Sequence, residues 1–197
     1  MRVEFLGTGT STGVPMIGCR CDVCRSKDSR DRRLRSSVCL TVDDKNILID
    51  CGPDFRQQML RSGIDHIDAV LLTHEHYDHT SGLDELRNFS RNNPIPIYAE
   101  PNVLDIIHQR LFYCFSKQPN PGVAHLELKA IEKLSPFTLF GIDIEPVRVW
   151  HYRLPIIGYR IGRFAYITDM LTIPDGECAK LSNLDTLVVN ALRHKPH

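Results

Sequence analysis

No apolar run in this sequence is long enough to cross a bilayer, and its start, MRVEFLGTG, carries no basic stretch followed by an apolar core and a small-residue cleavage site. Neither a membrane span nor a secretory leader is expected, and the protein is read as cytoplasmic. An excess of charge is also missing: 24 Lys and Arg balance 24 Asp and Glu, for a formal net charge of zero. A whole-molecule field that would attract nucleic acid or an acidic membrane is thereby excluded, leaving only a local patch to do so. Internal repeats, low-complexity tracts and linkers are absent too. The 197 residues are accordingly read as one domain, 1–197, long enough to bury a core.

Cysteine is present in odd number, seven. Cys19-x-Cys21-x-x-Cys24 is a cluster, set in a polar, basic loop at about 17–36, whereas Cys39, Cys51, Cys114 and Cys178 are isolated. In a chain read as cytoplasmic, the cluster favours metal over disulfides and the isolated four are expected in the core. Strands are expected at Val3–Leu6, Val38–Val42, Asn46–Asp50, Asp68–Thr73 and Ile95–Ala99. Helices follow Gly52-Pro53, with Phe55, Met59 and Leu60 on one face and Gly63 as the stop, and start at Pro101. A further helix carries Leu83, Leu86 and Phe89. Beyond the turn Pro119-Asn120-Pro121-Gly122 the pattern turns to strands, at Phe137–Phe140, Ile142–Trp150, Gly158–Ile161, Phe164–Thr168 and Thr186–Ala191. Helices alternating with strands, then hairpins, indicate an α/β (α+β) chain with helices packed on sheets.

The densest chemistry lies at the exit of the apolar strand, in LLTHEHYDHTSG. Residues two apart at a strand exit point the same way, so His74 and His76 can reach one ion, and Asp78 and His79, on the next turn, a second beside it. Imidazole with carboxylate suits zinc or a similar borderline metal and suits calcium or magnesium badly. Each ion needs more ligands, and Asp50, His151 and Asp169 qualify because each ends an expected strand. His66, His108 and His125 stand alone and are read as ordinary surface or core histidines.

His74-x-His76-x-Asp78-His79 resembles the defining motif of the metallo-β-lactamase superfamily, and the resemblance extends over essentially the whole chain. It implies an αββα sandwich with a two-metal site. By that resemblance His74, His76 and His151 hold one metal, Asp78 and His79 help hold the other, and Asp169 bridges them. Asp50, in ILIDCG, orients a ligand imidazole. Asp50, Asp78 and Asp169 are the carboxylates expected to serve catalysis. The opening GTGTSTGVP, the run GCRCDVC and the following RRLRSS further resemble the PhnP-like branch, which includes a cyclic phosphodiesterase; there the three cysteines bind a structural zinc. Two active-site zinc or manganese ions and one structural zinc are the implied cofactors, and the implied chemistry is attack by a metal-bridging hydroxide on a small phosphodiester.

The branch's last motif, T-H-x-S-H, is not found before the chain stops at ALRHKPH. The fold is therefore expected to be C-terminally incomplete, with each metal site one ligand short, and His194 or His197 are the candidates for a general acid. Two other readings stand beside the phosphodiesterase. One is a ribonuclease Z-like endonuclease, favoured by the shared opening and by Arg20, Arg25, Lys27, Arg30, Arg32, Arg33 and Arg35; Asp22, Asp28 and Asp31 dilute that run towards a solvated loop. The other is a non-catalytic zinc-binding module. The residues leave the oligomeric state open, with a homodimer among the readings.

Overall fold

The computed structural model describes residues 1–118 and 120–191. The chain divides into two compact units, Met1–Ala130 and Ile131–His197. The expected turn residue Pro119 and the candidate acids His194 and His197 lie outside the described residues.

The first unit holds a six-stranded sheet in sequence order, β1 (Arg2–Gly7), β2 (Ser37–Val42), β3 (Lys45–Ile49), β4 (Ala69–Leu71), β5 (Ile95–Ala99) and β6 (Leu126–Ala130). β1 to β3 form an antiparallel meander, whereas β3 to β6 run parallel. A parallel step needs a crossover, and helices supply it. The segment between β1 and β2, expected as loop, also contains two short helical turns, one of them α1 (Asp22–Arg25).

α2 (Phe55–Ser62) and Pro101–Arg110, the α4 helix, are the longer crossovers; α3 (Tyr77–Thr80) is a single turn. Gly63 ends α2 in the left-handed region at φ 71°, where its N–H closes on the Met59 carbonyl at 3.0 Å. The buried face of α2 is Phe55, Gln58 and Met59. Leu60, expected on that face, is instead 69% exposed, because it sits one residue beyond Met59 and a helix turns about 100° per residue. Leu83–Asn88, expected as a regular helix, is a tighter 3₁₀ segment that still buries Leu83 and Leu86. The core of this unit gathers Leu48, Val70, Leu72, Phe55, Leu83, Ile97 and Ile107. β4 is apolar throughout, as a strand flanked by parallel neighbours must be.

The second unit holds a five-stranded sheet in the order β11 (Thr186–Val188), β10 (Phe164–Tyr166), β9 (Leu154–Ile161), β8 (Ile142–His151), β7 (Phe137–Leu139). β7 to β10 are antiparallel neighbours and β11 joins β10 in parallel. β8 and β9 are longer than the pattern suggested. Between β10 and β11 lies α5 (Asp175–Cys178). Cys178 on it is exposed, contrary to the expected core position; the short helix leaves it no apolar partner face, and no residue of α5 is buried.

Candidate metal centre

Ligands gather in parallel sheets beyond the carboxyl ends of strands, where the crossovers begin. The first unit follows this rule. Asp50 comes directly after β3, His74 three residues after β4, His76 caps α3, and Asp78 and His79 lie in it. Asp50, His74 and His79 are buried, at 0%, 0% and 2% exposure, while His76 is exposed. The ring centroids of His74 and His76 are 4.5 Å apart, and those of His74 and His79 4.3 Å. The four motif residues are thus drawn together at one sheet end.

Asp50 and Thr73 set the tautomers. The Asp50 carboxylate accepts the Thr73 backbone N–H at 2.9 Å, the Thr73 hydroxyl at 3.0 Å, and lies 2.7 Å from His79 Nδ1. An ionised carboxylate only accepts, so His79 carries its proton on Nδ1 and turns Nε2 outward as a lone pair. The Thr73 hydroxyl has spent its one proton on Asp50, so it accepts from His74 Nδ1 at 2.9 Å. His74 then also keeps Nε2 as a lone pair. His79 Nε2 sits 3.2 Å from Asp78 Oδ2, the spacing of two donors sharing an ion at about 2.0–2.1 Å each. Two imidazoles fixed in the metal-binding tautomer beside a carboxylate fit a divalent metal of the zinc type. Thr73 carries no motif signal of its own; only its placement between Asp50 and His74 gives it this role.

The motif loop is held from two further sides. Arg110, the last residue of α4, donates through Nη1 to the Glu75 carbonyl at 2.7 Å and to the Thr80 hydroxyl at 3.2 Å. Thr80 in turn donates to the His76 carbonyl at 2.9 Å. Opposite, the Cys51 N–H donates to the His79 carbonyl and the Gly82 N–H to the Cys51 carbonyl, both at 2.8 Å. So close an approach demands glycine: a Cβ on Gly52 would lie 2.0 Å from the Asp78 carbonyl oxygen, and one on Gly82 2.1 Å from the Gly52 oxygen. None of these anchors was legible as a motif.

His151 and Asp169 belong to the second unit, where they lie at one end of its sheet. His151 ends β8, and β10, parallel to β8 across β9, leads through Thr168 to Asp169. The chain then doubles back, and Leu171 N–H donates to the Trp150 carbonyl at 2.7 Å while Trp150 N–H donates to the Thr172 carbonyl at 2.8 Å. Asp169 adopts φ 51°, and its Oδ2 accepts the Thr168 hydroxyl at 2.9 Å. Asn190 straps this turn to the chain after β11, accepting from the Met170 N–H at 2.9 Å and donating to its carbonyl at 3.1 Å. Asp50, at φ 61°, shares the left-handed backbone that aims a short carboxylate off a strand end.

Apart from these groups, one potential ligand atom each from Cys19, Cys21 and Cys24 lies within 4.8 Å of the others. Hydrogen bonds from the Cys24 backbone, then from the Cys19 and Cys24 side chains, hold the Cys21 thiol below its usual value. Three thiols this close suit zinc, which takes four ligands in a structural site. Cys39 and Cys51 are buried as expected. Burial, then the Glu4 charge, pushes Cys39 to about 12; burial, then Asp50, pushes Cys51 well above the thiol range.

The basic run is partly spent internally. Arg35 pairs with Asp54 at 2.9 Å and donates to the Ser11 carbonyl at 2.7 Å, and Arg30 forks onto Asp28. Arg20, Arg25, Lys27 and Arg32 remain exposed.

Residues 45–197 match the beta-lactamase superfamily domain, and the chain belongs to that family. Within it the chain is PhnP-like: over 99% of its length it superposes on 75% of the crystal structure of a diphosphatase of the PhnP family, with TM-score 0.91 and 44% identity. The metallo-β-lactamase-like fold class expected from the sequence is thereby shown. The zinc-bound structure of PqqB from Methylobacterium extorquens is similar over 97% of the chain and 73% of that protein, with TM-score 0.79 and 25% identity. A Porphyromonas gingivalis protein named octanoyltransferase is 50% identical over 196 residues, 99% of this chain. The chain spans 40% of that relative's length.

Proposed function

We propose that the chain is a metal-dependent hydrolase acting on phosphodiester bonds of a small substrate. The observation that carries this reading is the pair of hydrogen bonds donated by His74 Nδ1–H to the Thr73 hydroxyl and by His79 Nδ1–H to the Asp50 carboxylate, which leave both Nε2 atoms as lone pairs. His74, His76, Asp78 and His79, with His151 and Asp169, are the residues that would hold two divalent metals, and Cys19, Cys21 and Cys24 would hold a structural zinc. When bound, the metal pair supplies a water acidic enough to ionise near neutral pH and positive charge against phosphoryl oxygens. Asp50 keeps the proton on His79 Nδ1, and Thr73 keeps that on His74. Arg110 and Thr80 fix the backbone that carries His76.

Similarity to the PhnP-family diphosphatase supports phosphoryl chemistry and makes a diphosphate bond the second candidate. Acyl transfer through Cys51 is disfavoured by its burial and raised thiol pKa. The name octanoyltransferase refers to a protein of which this chain matches 40%.

Elemental analysis paired with hydrolysis of bis-p-nitrophenyl phosphate and of a nucleoside diphosphate, under added zinc or manganese, tests the proposal. Bound metal with turnover of either substrate is the expected result, and its first ligand test is His76→Ala, which should lose active-site metal while still folding. A purified chain that takes up no metal would refute the reading.

A further inference from the structure

A cavity of about 520 Å³ opens between the end of the 3₁₀ segment and the stretch before β6, lined by Arg87, Asn88, Arg91, Pro121, Val123 and His125. Its volume falls among small-molecule sites. Both walls are fixed from behind. Arg87 donates to Asp84 Oδ2 at 3.2 Å, and Asp84 accepts the Tyr113 hydroxyl on its other oxygen at 3.1 Å. Burial first, then the Asp84 bond, pushes Tyr113 up to about 12, so its hydroxyl stays a donor. On the opposite wall the His125 N–H donates to the Ser90 hydroxyl at 2.9 Å, and the His125 carbonyl accepts from Ile95 N–H at 3.0 Å. Ser90 is 1% exposed, so the clamp is internal. Arg87 is half neutralised by Asp84; Arg91 makes no ion pair among the described residues and supplies the cavity's uncompensated positive charge.

Arg87, Arg91 and His125 line one space. A carboxylate is satisfied by one fork, whereas a phosphate presents three oxygens to be shared among several donors. Pro121 and Val123 give an apolar wall for an organic body. We propose that this cavity is a binding site for a phosphate-bearing small molecule of nucleotide size, with Arg87 and Arg91 gripping the phosphoryl group. The inference stands on the first unit's geometry and does not depend on the metal centre.

Amide chemical shifts of the metal-loaded protein, titrated separately with inorganic phosphate and with adenosine monophosphate, test it. Saturable shifts at residues 87–91 and 121–125 are expected with the nucleotide. If inorganic phosphate moves the same amides more weakly, the phosphoryl group is the shared determinant and the organic body adds affinity; equal response assigns the site to free phosphate. Arg91→Ala should weaken binding at these amides by about ten-fold or more, as loss of a charged hydrogen bond does, and Arg91→Lys should recover part of it. Shifts confined to residues 74–82, no shifts at millimolar probe, or equal affinity in Arg91→Ala would each overturn the proposal.

Discussion

At the scale of single residues, Asp50 concentrates the most consequence in the fewest atoms. It is fully buried, and its carboxylate bonds to Thr73 and His79. Asp50→Asn keeps the volume but places an amide where His79 Nδ1–H needs an acceptor and can present a donor to it. Metal affinity should fall about 10- to 100-fold, the usual cost of losing a group that orients a ligand, with a stability loss of about 1–3 kcal/mol. Competition against a chromophoric chelator measures the first and chemical denaturation the second; unchanged affinity would show that Asp50 does not orient the imidazole. The isolated thiols separate equally cleanly. A thiol reagent near neutral pH should label Cys178 at once and reach Cys39 and Cys51 only after unfolding, since burial denies both access and thiolate. Mass spectrometry of the labelled native protein reads this directly.

Elements matter here chiefly through how they pin the loop after β4. The turn following β3 packs so tightly on α3 that Gly52→Ala would drive a methyl into the Asp78 carbonyl oxygen, a backbone atom that cannot step aside as a side chain would. We expect a loss of about 3 kcal/mol or more, visible as a lowered denaturation midpoint, together with weaker metal binding. Gly63→Ala, strained only by its φ of 71° with nothing near its missing Cβ, should cost about 1 kcal/mol and leave metal affinity alone. The other pin is the end of α4. Arg110→Met removes the bond to the Glu75 carbonyl and should reduce metal affinity about ten-fold with little change in helix content. Arg110→Lys, which keeps one charged donor, should recover part of it. An unaltered Arg110→Met protein would mean that α3 and the Cys51 bonds suffice.

Over the whole molecule, bound metal is linked to stability. A ligand that binds only the folded state at about a hundred-fold above its Kd stabilises it by about 2.7 kcal/mol. For a chain of this size that corresponds to about 5–10 °C in Tm. Stripping the protein with a strong chelator should lower Tm by this order, and zinc should restore it; calcium should not, because the proposed donors are nitrogen and sulfur as well as oxygen. Identical melting of stripped and loaded protein would show that no metal binds the folded chain. At this scale the family assignment also belongs, since it rests on residues 45–197 together and on superposition of nearly the whole chain, not on any one group.

The sequence by itself determined whatever depends on local spacing. The H-x-H-x-D-H run, the strand before it, the Pro101 start and Gly63 stop of two helices, and the cysteine triplet are all patterns within a few residues, and hydrophobic periodicity and turn chemistry report such patterns. Tertiary structure decided what depends on residues distant in sequence. Thr73 is chemically ordinary until Asp50, 23 positions earlier, shares its hydroxyl. Arg110 is one arginine among many until it meets Glu75 across 35 residues. Arg35 looks like part of a phosphate-binding run until Asp54 claims it, and Cys178 looks like core until the short helix carrying it leaves it in solvent. Hydrogen-bond partnership and burial are set by where the chain returns in space, and that return is fixed only when the sheets have formed.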